Sequence, residues 1–164
     1  MKPAPPVTRI FIEVTVIEAE VVKAVRADVA PAFVRGVLTQ AAKVPEVAAR
    51  LPDDGGTVAV RITSDEDMAQ LNRAYAGEDH PTDVLSFTGS GSHVGDIAIS
   101  WPAVVRQSHE YGHDAKTELA LLSVHGLLHL LGWDHATASE RKEMNRLTRT
   151  VLKLSGVTPA PGRL

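Results

Sequence analysis

The chain is 164 residues long, with 44% hydrophobic and 23% charged residues, which fits one ordinary globular domain. Its 17 Lys and Arg against 20 Asp and Glu leave a net charge of −3, so any nucleic-acid partner needs a local basic patch. The absence of cysteine excludes a disulfide framework, thiolate metal ligands, iron–sulfur clusters and a cysteine nucleophile, and 4% aromatic residues argue against a base-stacking platform.

Both ends read as loose tails, about 1–7 and 156–164, because prolines crowd the first six residues and Pro159-Ala160-Pro161-Gly162 lies near the end. The first residues lack the basic segment and apolar run of a secretory signal. The apolar stretch Leu119–Trp133 is too short to span a bilayer. The cytoplasm is therefore the expected compartment, with no membrane partner.

In chain order, the β-branched, roughly alternating run Ile10–Val16 predicts a strand. Pro31–Ala49 predicts a helix with Phe33, Val34, Val37, Leu38 and Ala41 on one side. A turn at Asp53-Asp54-Gly55-Gly56 leads to a strand at Thr57–Ile62. Ser64 caps the next helix, with Asp67 completing a capping box, Met68, Leu71, Asn72 and Tyr75 facing inward, and Gly77 as the stop. Short strands follow at Asp83–Phe87 and Gly95–Ser100, separated by a glycine-rich loop. Helices are expected at Pro102–Tyr111, at Ala115–Leu131, which is apolar almost all round, and at Ser139–Leu154. The whole reads as a single α+β domain spanning 1–164, with a small mixed sheet and about five helices.

The chemistry concentrates in His125-Gly126-Leu127-Leu128-His129-Leu130-Leu131-Gly132-Trp133-Asp134-His135. His125 and His129 are four apart, so both rings leave the same face of a helix one turn apart. Gly132 lets the chain leave that helix through a left-handed turn, and His135 can fold back as a third ligand. Three core histidines, each satisfied by its own hydrogen bond, are the alternative. Three polar rings in a leucine-rich helix need partners, however, and the spacing favours a metal. Three imidazoles with one open position make the catalytic type of zinc site. The spacing matches the metzincin protease pattern, but Gly126 stands where those enzymes carry the glutamate general base. The other histidines, His80, His93, His109 and His113, have no matching spacing and read as surface or loop residues.

Three blocks carry a closer resemblance: Leu71-Asn72 with Tyr75 running on through Asp79-His80-Pro81-Thr82-Asp83-Val84-Leu85-Ser86-Phe87; Gly95–Ser100; and the histidine segment. Together, over about residues 8 to 155, they resemble the YbeY family of bacterial rRNA maturation factors, single-strand-specific endoribonucleases. The resemblance implies one zinc ion per chain held by His125, His129 and His135. It implies action on the 3′ end of small-subunit ribosomal RNA, a part in ribosome quality control, and contact with small-subunit proteins and assembly factors. Members of that family carry an arginine directly after the aromatic of the first block, where this chain has Ala76.

Further candidates surround this motif. Asp134 can orient a ligand histidine or accept a proton; turn chemistry beside Gly132 explains it equally. Arg73, three residues before Ala76, neighbours that position on the helix and can reach part of the same space. Asp83 is a second carboxylate associated with the motif. Lys142, Arg146, Arg149 and Lys153 fall at offsets 0, 4, 7 and 11 and form one stripe, opposite Met144, Leu147, Val151 and Leu154. That stripe is either a ridge for RNA phosphates or a solvated helix face, and Arg106 and Arg141 can extend it. A zinc-dependent endoribonuclease leads, with a ribosome-associated binding factor of weak nuclease activity and a metalloprotease-like hydrolase as alternatives.

Overall fold

The computed structural model describes residues 2–6, 15–76 and 82–164. Four strands, β1 (Ile17–Lys23), β2 (Gly56–Thr63), β3 (Val84–Thr88) and β4 (His93–Ser100), form one sheet in the order β1-β2-β4-β3. The β1–β2 and β2–β4 pairs are parallel and β3 runs antiparallel to β4. Among the described residues there are six helices, α1 (Pro31–Ala41), α2 (Pro45–Ala48), α3 (Asp65–Ala76), α4 (Trp101–Tyr111), α5 (Ala115–Leu130) and α6 (Ala138–Leu154). The fold is thus a single α+β domain with a mixed sheet, as its sequence pattern implies, but with one helix more than expected. The extra element arises where Pro45 disfavours helical geometry at Val44, so that Pro31–Ala49 breaks into α1 and α2.

Alternation buries one side of the sheet. Val58, Val60 and Ile62 of β2 point inward while Thr57 and Arg61 point out. Register aligns Val21, Val60, Ile97 and Ser86 in a row across all four strands. Buried α5 packs against β3, β4, α1, α4 and α6. Its start is fixed by Asp114, whose carboxylate accepts the Thr117 N–H at 2.8 Å. Its close approach to β4 depends on two glycines. A Cβ on Gly126 would meet Ile97 Cγ2 at 2.8 Å, and one on Gly95 would meet Leu130 Cδ2 at 2.6 Å. The row ends at Ser86, whose hydroxyl donates to the Gly126 carbonyl at 2.9 Å, tying the edge strand to the helix turn that carries His125.

Several expectations are corrected. The strand expected at Ile10–Val16 lies outside the described residues as far as residue 14; Thr15 and Val16 are irregular and β1 starts at Ile17. The Gly77 stop also lies outside them. Ser64 caps α3 as expected, its hydroxyl accepting the Asp67 N–H at 3.1 Å. Asp67 does not close a capping box: its carboxylate takes bonds from Thr63 and Arg61 instead. Tyr75 is exposed rather than inward, resting edge-on against Phe87 at 5.1 Å. On α6, Met144, Leu147 and Val151 are buried, but Leu154 is exposed because the helix end passes the core. The tail 156–164, expected to be loose, is docked. The Ala160 N–H donates to His113 Nδ1 at 2.9 Å, and Arg163 Nε donates to Glu118 Oε1 at 2.7 Å. His113, a loop residue between α4 and α5, has its side chain covered by this contact, with 6% of it exposed.

Candidate metal centre

The end of α5 is built to return the chain toward its own histidines. Gly132 adopts φ +96°, a conformation that costs other residues about 1–2 kcal/mol. The Gly132 N–H donates to His129 O and the Trp133 N–H to Leu128 O, both at 3.0 Å, the double bond pattern of a Schellman cap. Arg50 fastens this turn from outside, donating to the Leu131 carbonyl at 3.2 Å and stacking 3.6 Å above the Trp133 ring.

The result gathers His125, His129 and His135, one ligand nitrogen from each lying within 4.8 Å of the others. His125 Nε2 and His129 Nε2 are 3.1 Å apart, and the His135 ring stacks on His125 at a centroid distance of 5.3 Å. Burial, followed by the neighbouring His129 and His135, pushes the His125 pKa down from 6.5 to about 4. Burial is also the main cause lowering that of His129. Both rings are therefore neutral near pH 7, with lone pairs available to a cation. A convergent, three-nitrogen donor set suits a borderline-soft divalent metal. Three nitrogens also leave a coordination position open.

Other expected site residues are placed differently. Asp134 is exposed, and its Oδ1 accepts the His135 N–H at 2.7 Å; that is turn chemistry, applied directly to a member of the trio. Arg73 is exposed on α3 and does not line the histidine pocket. None of Lys142, Arg146, Arg149 and Lys153 lines it either. Arg146 is engaged by Glu143 at 2.7 Å and Glu46 at 3.3 Å, and Arg149 and Lys153 border a separate depression against the tail.

Among the described residues, the cations lining the pocket with His125 and His135 are Arg141 and Arg163, with Asn145 and Asp83 beside them. Asp83 accepts from the Val84 N–H at 2.8 Å and from Gln107 Nε2 at 3.1 Å. Arg141, named from the sequence only as an extension of the α6 stripe, stands at i, i+4 to Asn145 on the side of α6 that lines the pocket. Arg163 gave no sequence signal, since proline-rich tails rarely dock. Gly126 fits against Ile97 and leaves no room for the glutamate of a metzincin.

Comparison with known proteins agrees with this geometry. The Endoribonuclease YbeY family model matches residues 17–156. A protein named Endoribonuclease YbeY from Brevibacillus brevis is 42% identical, with 69% of this chain and 83% of the relative covered. One from Chloroflexus aurantiacus is 39% identical, covering 73% and 86%. The solution structure of TM1509 from Thermotoga maritima shares the fold, with TM-score 0.58 at 20% identity over 90% of this chain and 100% of that one. Family match, relatives and histidine geometry agree: the chain belongs to the Endoribonuclease YbeY family.

Proposed function

We propose that the protein is a zinc-dependent, single-strand-specific endoribonuclease that matures the 3′ end of small-subunit ribosomal RNA and serves ribosome quality control. Small-subunit proteins and assembly factors are the partners in this reading, and the cytoplasm is its compartment. Among the described residues, no helix is long and apolar enough to cross a membrane. The observation that carries the proposal is the convergence of His125, His129 and His135, two of which, His125 and His135, line a pocket that guanidinium groups also line, in a chain of an endoribonuclease family.

When bound at the three nitrogens, zinc supplies Lewis-acid polarisation of a phosphoryl oxygen. The remaining work falls to the chain itself. Burial keeps His125 and His129 unprotonated. Asp134 holds the backbone of His135 in the turn. Arg73 offers positive charge from α3, one turn before the position where the family carries its arginine. Lys142, Arg149 and Lys153, exposed along α6, extend the RNA path, whereas Arg146 is already engaged by two carboxylates.

The metalloprotease alternative is disfavoured twice, by the missing base at Gly126 and by the Ile97 contact that excludes one. The test offers zinc-loaded protein a single-stranded RNA, the same sequence as a duplex, and casein. Cleavage of the single strand alone is expected. Chelator-sensitive casein cleavage without RNA cleavage would reverse the assignment.

A further inference from the structure

Arg163 reaches the histidine pocket on a tail that begins where the matched family segment, residues 17–156, ends. Its guanidinium is held on two sides. Nε donates to both oxygens of fully buried Glu118, at 2.7 and 3.2 Å, and the Arg163 Cζ lies 4.4 Å above the Tyr111 ring. His113 closes the arrangement: its Nδ1 accepts from the Ala160 N–H, so Nε2 carries the proton and faces Glu118 Oε2 at 3.2 Å. Arg163 is only 15% exposed. Both bonds to Glu118 leave from Nε, and among the described residues its Nη groups make no hydrogen bond.

Arg141 faces the same pocket from the first turn of α6. It is exposed and, among the described residues, makes no ion pair. The pocket thus has one guanidinium fixed by a buried carboxylate and an aromatic ring, and another with its whole donor set unspent. Planar guanidinium forks match phosphate oxygens in pairs, and pre-ordering lowers the entropy lost when they bind. Among the described residues, Asp83 is the carboxylate lining the pocket, and its oxygens already accept from Val84 and Gln107.

We propose that Arg141 and Arg163 form a phosphate clamp that seats the RNA backbone against the histidine site, with Glu118 and Tyr111 as the positioning residues for Arg163. The inference rests on the endoribonuclease reading and deepens it. It assigns the clamp to Arg141, named from the sequence only as an extension of the α6 stripe, and to Arg163 on the tail.

The test uses zinc-loaded protein and a short phosphorothioate-protected single-stranded RNA, with affinity measured by anisotropy across a salt series. Arg141→Gln should bind roughly tenfold or more weakly, as expected for a lost charged hydrogen bond. It should also flatten the log affinity against log salt slope by about 0.7. Arg163→Gln alone strands a buried charge and can undock the tail. The paired Glu118→Gln/Arg163→Gln variant avoids that problem and should show the same slope change with zinc content unaltered. Arg35→Gln on α1, which does not line the pocket, should retain wild-type affinity. If Arg141→Gln and the paired variant keep wild-type affinity and slope while wild-type protein cleaves unprotected RNA, the clamp is wrong and the endoribonuclease reading stands. If wild-type protein neither binds nor cleaves RNA, both fall.

Discussion

Gly126→Ala sets two opposed effects against each other. Alanine is the better helix former by about 1 kcal/mol, so an uncrowded site would gain stability. Here the new Cβ would stand 2.8 Å from Ile97 Cγ2 and 3.3 Å from both Cγ1 and Cδ1. Ile97 has little freedom to retreat: it is 1% exposed and its strand is paired on both sides, with Val60 and Ser86. Overpacking of this kind costs about 1–3 kcal/mol, and a branched neighbour held in a central strand belongs near the upper end. The net expectation is a loss of about 1–2 kcal/mol, or roughly 2–8 °C in Tm for a domain of this length. Thermal and urea unfolding of zinc-loaded and chelated protein provide the assay. Ile97→Ala should relieve part of the loss in the double variant, visible as a favourable coupling energy. A Gly126→Ala protein as stable as wild type, or more stable, would refute the crowding argument and reopen this position to a glutamate.

Three further outcomes follow from the site. Gly132→Ala meets Arg50 Nη1 only at ordinary van der Waals contact, 3.7 Å, but must hold φ +96°, so it should lose about 1–2 kcal/mol and release zinc more readily, as measured by chelator competition; unchanged retention would show that the turn does not place His135. In chelated protein, His125 has a folded pKa of about 4 against an ordinary 6.5, so the unfolded chain binds more protons between those values. Its contribution is then full above about pH 6.5 and lost as pH falls toward about 4, worth at most roughly 3 kcal/mol; a flat stability profile in urea across that window would contradict the burial argument. For the α6 stripe, Lys142→Gln/Arg149→Gln should flatten the salt dependence of RNA binding by about 0.7 per lost contact, and an unchanged slope would leave those residues as a solvated face.

Strands β2, β3 and β4, helices α3 to α6 and the histidine cluster were legible because each depends on local periodicity or spacing, whereas β1 lies beyond the run expected for it and one expected helix divides into α1 and α2. Alternation in β2, the apolar girth of α5, and the four-residue and glycine-mediated spacings of the trio all survive in the structure. What stayed hidden depends on contacts between residues distant in the chain. Arg163 docks through Glu118, 45 positions earlier, and nothing in Pro159–Gly162 signals a partner. Arg50 clamps the turn after α5 from 81 positions away. The charge spacing on α6 correctly defined a stripe, but which side of the helix meets the pocket is set by how α6 packs on α5. That packing presents Arg141 and Asn145 rather than the stripe.

The central claim is that a metal held by His125, His129 and His135 enables RNA cleavage. Its most direct test measures cleavage of one single-stranded RNA by zinc-loaded wild type, by chelated wild type, and by His129→Ala purified in the presence of zinc, with metal content determined by elemental analysis. The account predicts about one zinc per chain and cleavage in the first sample, and little metal and no cleavage in the other two. Equal cleavage by all three, or full zinc content in His129→Ala, would contradict it.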